Sequence, residues 1–184
     1  MTGLGGPAVS VRAATAEDVP EIARIQIDTW RTAYARLLPA AVLAAATPER
    51  AAAEWTAAVL RPPSSRHRVL VARDQEWTVG FVAFGPAEED PYGDPPGTGV
   101  LHTLLVEPRW SRRGHGSRLL AAAVDHLRAD GVTRAVVWLI EGDAAATTFY
   151  ESAGWQPDGT VRRLVDDGQT VREARFHVSL EGEA

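Results

Sequence analysis

Cysteine is absent from this chain. Its absence excludes disulfides, thiolate metal sites and any acyl-thioester carried covalently on the protein. Lysine is absent too, all 19 basic residues being arginine. That excludes a Schiff-base lysine and a phosphate loop of the form GxxxxGKS or GxxxxGKT, whose lysine reaches the phosphates. No stretch approaches the roughly 18 consecutive apolar residues of a membrane span. The opening MTGLGGPAVS has neither the basic region nor the apolar region of an export signal, so residues 1–8 are expected to be a flexible tail and the protein cytoplasmic. A basic surplus is also missing. The net charge of −5 argues against broad nucleic-acid binding, which needs a positive field to displace counterions, and any steering would favour cations such as amines.

What is present suits one globular domain over residues 9–184, with 45% hydrophobic and 23% charged residues. VSVRAA alternates like a strand. TAEDVPEIARIQIDTWRTAYARLLP reads as one helix, opened by Thr15 with Asp18 three residues on, carrying Ala23, Gln26, Trp30, Ala33 and Leu37 on one stripe and stopped or redirected at Pro39. TPERAAAEWTAAVL is a second helix with Thr47 as its cap. HRVLVARD and EWTVGFVAFG form a hairpin about Gln75 and Glu76, and the acidic, proline-rich PAEEDPYGDPPGTG is an irregular loop. VLHTLLVEP is a strand, GHGSRLLAAAVDHLRADG a helix stopped by Gly131, VTRAVVWLI a buried strand and DAAATTFYESAG a helix capped by Asp143. WQPDGTVRRLV and TVREARFHVSL complete the chain as strands. This order gives an α/β layer fold on a mixed sheet.

The most informative stretch is EPRWSRRGHGSRLL, beginning at Glu107 and joining a strand to a helix. Free N–H groups in the first turn of a helix, with the positive end of its dipole, suit a phosphate, and glycine admits close approach. Arg112, Arg113 and Arg118 can add charge. A dinucleotide fingerprint fits poorly, because Leu119 stands where a third glycine would be needed.

VEPRWSRRGHGS followed by a long helix, and then EGDAAATTFYESAGW, resembles the GNAT superfamily of acyl-CoA-dependent N-acetyltransferases. In that family a strand ending in Val-x-Pro runs into a Gln/Arg-x-x-Gly-x-Gly/Ala turn, and a later helix carries Phe-Tyr before a Gly-aromatic corner. The likeness extends over nearly the whole chain from Val9. It implies a mostly antiparallel mixed sheet with helices on both faces, and a splayed parallel strand pair that takes acetyl-CoA. The pantetheine would run along Leu104, Leu105 and Val106; Arg112, Arg113, Gly114, His115, Gly116 and Ser117 would cradle the pyrophosphate; Asp143, Ala146 and Tyr150 would line the thioester end. Two positions depart from the family pattern: Ser111 replaces Arg or Gln, and Asp143 replaces Asn, keeping an acceptor but losing an amide donor.

The resemblance also implies direct acetyl transfer from acetyl-CoA to a primary amine of a small molecule or a peptide, with Tyr150 protonating the departing thiolate. A catalytically weak acyl-CoA sensor is the reading from another class. Many relatives place a glutamate base where Val100 stands here; His102, two residues on, has the pKa for that work, although a strand histidine is also a common core residue. Trp30 and Tyr34, one turn apart, match the family's acceptor-side aromatics, and Trp30 suits core packing equally well. His115 would turn its ring to solvent. His67, His126 and His177 show no metal-ligand spacing, so no metal is expected. Relatives of this kind are often homodimers, but the sequence does not set the oligomeric state.

Overall fold

The computed structural model describes residues 9–87, 92, 94–166 and 169–181, without the side chains of 166 and 169. The expected tail, residues 1–8, and the acidic run Glu88, Glu89 and Asp90 lie outside the described residues. Seven strands form one sheet: β1 (Val9–Ala13), β2 (Arg68–Asp74), β3 (Trp77–Pro86), β4 (Thr98–Val106), β5 (Arg134–Ile140), β6 (Gln156–Asp166) and β7 (Gln169–Ser179). Their order is β1-β2-β3-β4-β5-β7-β6. Every neighbouring pair is antiparallel except β4 and β5. Five helices cover it: α1 (Val19–Thr32), α2 (Ala40–Ala45), α3 (Pro48–Leu60), α4 (His115–Ala129) and α5 (Ala144–Ser152). As a crossover between parallel strands, α4 is the connection such a pair requires.

Each face of the sheet has its own core. On one, Leu119, Leu120, Ala123 and Leu127 of α4 meet Leu70, Val82, Phe84, Leu101, Val137 and Phe176. On the other, Ile22 and Ile25 of α1 meet Val69, Val71, Phe81 and Leu105. The outward rows of α1 pack sideways, where Ala23 and Ile27 meet Ala51 of α3. The stripe expected on α1 is therefore rotated: the isoleucines are buried, Gln26 is half-buried and accepts a hydrogen bond from Trp55 Nε1 at 2.6 Å, and Ala33 is exposed. A helix pressed against both a sheet and a second helix has two apolar faces, so a single-stripe reading finds Ala23 and Trp30 but misses the isoleucines that face the sheet.

The first helix is also shorter than its sequence suggests. It ends at Thr32, whose hydroxyl donates to the Asp28 carbonyl at 2.7 Å, and Tyr34 N–H reaches back to the Thr29 carbonyl at 3.3 Å. Such side-chain bonding competes with the helical ladder. Tyr34 thus lies beyond the helix, in a turn that leads through Pro39 into α2. The other punctuation follows the sequence: Thr47 Oγ1 accepts from Arg50 N–H at 3.2 Å, Gln75 takes a positive φ of 53° in the β2–β3 turn, and Gly131 closes α4 at φ 79°.

The start of α1 is pinned by Asp18, whose side chain is 3% exposed. Its carboxylate accepts from Thr15 N–H at 2.8 Å and from Arg12 at 2.7 and 2.9 Å, fastening β1 to the helix. Burial alone would raise its pKa, but the hydrogen bonds from Arg12 and Thr15 hold it below the ordinary 3.8. Because the folded value is depressed, the stabilisation is complete above pH 3.8 and is lost as pH falls through the folded value. Asp18→Ala should therefore lower unfolding free energy by about 2 kcal/mol at pH 7, from the loss of charge-assisted hydrogen bonds. Urea titrations should show the gap to wild type narrowing below pH 3.8.

Candidate functional site

Parallel pairing of β4 with β5 covers four residues, Thr98 to Leu101 against Arg134 to Val137, and then ceases. Beyond that point β4 stays with β3 through Val106, while β5 stays with β7 through Ile140. The two strands diverge, leaving a wedge whose walls are Leu104–Val106 and Trp138–Ile140.

A cavity of about 320 Å³ opens into this wedge. Eight of the residues singled out from sequence line it: Trp30, Tyr34, His102, Leu104, Leu105, Asp143, Ala146 and Tyr150. Val106 and the Arg112–Ser117 turn are not in its lining. The sequence reading missed Leu38 and Val42, which follow α1, Thr103 and Trp138 on the diverging strands, and Leu164, Val171 and Glu173 on the β6–β7 hairpin. No local motif marks any of these; they arrive by topology.

His102 reaches the cavity through a break in the strand. The ladder steps from Leu101 opposite Phe84 to Thr103 opposite Ala83, leaving His102 as the extra residue of a bulge. Period-two alternation along β4 therefore breaks there, and the bulge aims the side chain. The residue is exposed, and partial desolvation of its ring, together with the nearby charges of His67 and Arg162, holds its pKa below 6.5. The imidazole is neutral at pH 7 and free to take a proton.

Just past the end of β5, Asp143 caps α5 by accepting Ala146 N–H at 2.9 Å. The Tyr34 hydroxyl donates to the same carboxylate. Burial, and then the Asp143 charge and hydrogen bond, raise the Tyr34 pKa. A carboxylate at this position lacks the amide N–H of asparagine, and Tyr34 brings a hydroxyl donor to it from another element. Tyr150 is 4% exposed, between the rings of Phe149 and Trp155 at 5.1 and 5.2 Å. Burial, and secondarily Tyr34, raise its pKa, so the phenol keeps its proton at neutral pH.

At the start of α4 the backbone is shaped for an anion. Arg112 and Gly114 adopt positive φ values of 61° and 83°. Alternating handedness of this kind turns successive N–H groups to one side. Among the described residues nothing accepts a hydrogen bond from the six N–H groups of Arg112 to Ser117. Gly116 has a packing reason to lack a side chain, since a Cβ there would lie 3.3 Å from the Phe149 ring, which presses the first turn of α4 against α5. Ser111 Oγ donates to the Pro108 carbonyl at 2.7 Å, closing the turn without an arginine or glutamine. Arg113 stacks over Trp110 at 4.9 Å, and Arg118 folds back to the Arg113 carbonyl at 3.2 Å.

His115 does not turn outward. Its side chain is 1% exposed, against the edge of Trp110 at 6.1 Å and with Nε2 3.3 Å from Asp74 Oδ2. Burial lowers its pKa more than the Asp74 charge raises it. The first turn of a helix has an inner face, and the ring fills it, leaving only the backbone of this residue toward the open side.

Comparison with known proteins agrees with this geometry. The model of the acetyltransferase (GNAT) family matches residues 22–155. The uncharacterized N-acetyltransferase YuaI of Bacillus subtilis (strain 168) is 30% identical over 169 residues, covering 91% of this chain and 88% of that protein. Among solved structures, PaiA N-acetyltransferase of Thermoplasma acidophilum in complex with coenzyme A is similar with a TM-score of 0.71, 16% identity and coverage of 90% of this chain and 97% of that one. YncA of Salmonella typhimurium, with acetyl-CoA, has a TM-score of 0.71, 19% identity and coverage of 97% of both chains. With a family model spanning most of its length and a curated relative aligned nearly end to end, this chain belongs to the GNAT acetyltransferase family.

Proposed function

We propose that residues 9–184 form one catalytic domain that moves an acetyl group from acetyl-CoA directly to the primary amine of a small molecule. The observation that carries this reading is the convergence on one wedge of three features: diverging strands, six N–H groups without a partner among the described residues, and a buried neutral tyrosine. The Arg112–Ser117 turn is suited to the pyrophosphate. Strand edges at Leu104, Leu105 and Val106, freed by the divergence, can bond the amides of pantetheine as an added strand would. The PaiA and YncA structures, which hold coenzyme A and acetyl-CoA, support that orientation by fold.

In this reading the acceptor nitrogen attacks the thioester carbonyl, the C–N bond forms, and the C–S bond then breaks. Tyr150 gives its proton to the departing thiolate. Its raised pKa suits a donor that must stay protonated until the sulfur becomes basic. His102, kept neutral, takes the proton that the amine loses. Trp30 and Tyr34 wall the acceptor side. With no cysteine in the chain, transfer proceeds in a ternary complex rather than through an acyl-enzyme thioester.

Acetyl-CoA should raise the melting temperature, and a coenzyme A release assay over a panel of amines should give turnover. Absence of stabilisation by acetyl-CoA would remove the cofactor assignment; stabilisation without turnover on any amine would make the protein a sensor. Tyr150→Phe should lower kcat by about 10²-fold or more while keeping the stabilisation by acetyl-CoA.

The pH profile tests His102 separately. Its folded pKa lies below 6.5, so kcat/KM should fall on the acid side of a pKa below that value. In His102→Gln that limb should vanish, with kcat/KM near neutrality reduced about 10²-fold. An unchanged limb in the variant would take His102 out of the mechanism.

A further inference from the structure

The acceptor side of the cavity carries a distinctive charge pattern. Its acidic lining residues are Asp143 and Glu173; among the described residues no arginine lines it. Asp143 is occupied by Tyr34 and the α5 cap. Glu173 comes from β7, beside Ile140 at the mouth of the wedge. Its side chain is 13% exposed, and Oε2 accepts Arg162 Nε at 2.6 Å. Oε1 has no hydrogen-bond partner among the described residues. Arg162 in turn has its Cζ 4.3 Å from the centroid of the Trp138 ring, and it is not among the residues that line the cavity. Behind this pair, Arg175 is bound by Asp158 at 2.7 Å and Asp94 at 2.8 Å, and Arg134 pairs with Asp158 at 2.8 Å. Arg134, Arg162 and Arg175 are thus each matched by a carboxylate. The remaining walls are apolar or aromatic, among them Trp30, Leu38, Trp138, Leu164 and Val171.

Resting on the acetyltransferase reading, we propose that Glu173 is the specificity-determining residue for the acceptor, and that it selects carboxylate-free primary amines with an apolar or aromatic body. Such an amine arrives as an ammonium ion, to which the free Oε1 offers a charge-assisted hydrogen bond, and one proton passes to solvent to free the nitrogen lone pair before the attack. Its body lies against the apolar walls. An amino acid of the same shape brings a carboxylate that finds no cationic side chain among the described residues lining the cavity and faces two carboxyl groups there, and like charges set together are an effective means of rejection. Glu173 also keeps Arg162 neutralised. Removing its charge would leave a guanidinium beside the cavity, ready to receive a carboxylate.

The test compares phenethylamine with phenylalanine, which share a body and differ by the carboxylate. Wild type should favour phenethylamine by about tenfold or more in kcat/KM, the effect of one charge-assisted hydrogen bond lost or one repulsion gained. Glu173→Gln should bring the two substrates close to parity, partly by improving phenylalanine, and Glu173→Asp should restore the preference. Stabilisation by acetyl-CoA, measured on every variant, separates a change in selectivity from a damaged fold. Equal use of both substrates by wild type, or a preference that Glu173→Gln leaves unchanged, would overturn the proposal. So would turnover confined to peptide amines. Loss of acetyl-CoA stabilisation in wild type would instead defeat the reading on which the proposal rests.

Discussion

The structure depends on a parallel strand pair that holds for four residues and then lets go. Had β4 and β5 stayed paired to their ends, the edges of Leu104–Val106 and Trp138–Ile140 would satisfy each other and the sheet would have no wedge. Both strands keep their outer partners through the divergence, β3 for one and β7 for the other, so the opening costs few ladder bonds. Around it, α4 crosses from the end of β4 to the start of β5 and brings its N-terminal turn to the rim. The cavity, the open backbone of Arg112–Ser117 and the buried tyrosine all follow from that one break in pairing.

The same economy explains the placement of the reactive side chains. A bulge at His102 re-aims that residue and reverses the facing of the strand beyond it, so that Leu101 packs in the core with α4 and Leu105 in the core with α1. Asp143 serves the backbone of α5 and the hydroxyl of Tyr34 at once. Glu107, at the end of β4, is held by Arg24 of α1 at 3.1 Å and by Arg109 at 2.7 Å, tying the helix that leads to Trp30 and Tyr34 to the strand that forms one wall. Its carboxyl stays below the ordinary range because these arginines outweigh the effect of burial.

Much of this was legible in sequence where the determinant is local. Helix caps at Thr47 and Asp143, the Gln75 turn, the Gly131 stop and the glycine-bearing start of α4 are each written within a few residues, and the structure places them accordingly. Where the determinant is tertiary, the sequence misled or was silent. The buried face of α1 depends on α3 as well as on the sheet, and its end depends on a hydroxyl that bonds its own backbone. The inward turn of His115 depends on Trp110 and on Asp74, which is 41 positions earlier in the chain. Glu173 and Leu164 enter the cavity because β7 inserts between β5 and β6, an order that no period of the hairpin sequence announces.

The central claim is that the diverging strands and the α4 turn act together as the coenzyme A site. Backbone amide NMR can test it residue by residue, comparing titration with coenzyme A and with acetyl-pantetheine, which lacks the pyrophosphate. Coenzyme A should shift the amides of Arg112–Ser117 and of Leu104–Val106, whereas acetyl-pantetheine should move the strand amides alone. Saturable binding of coenzyme A that leaves the Arg112–Ser117 amides unmoved would contradict the account.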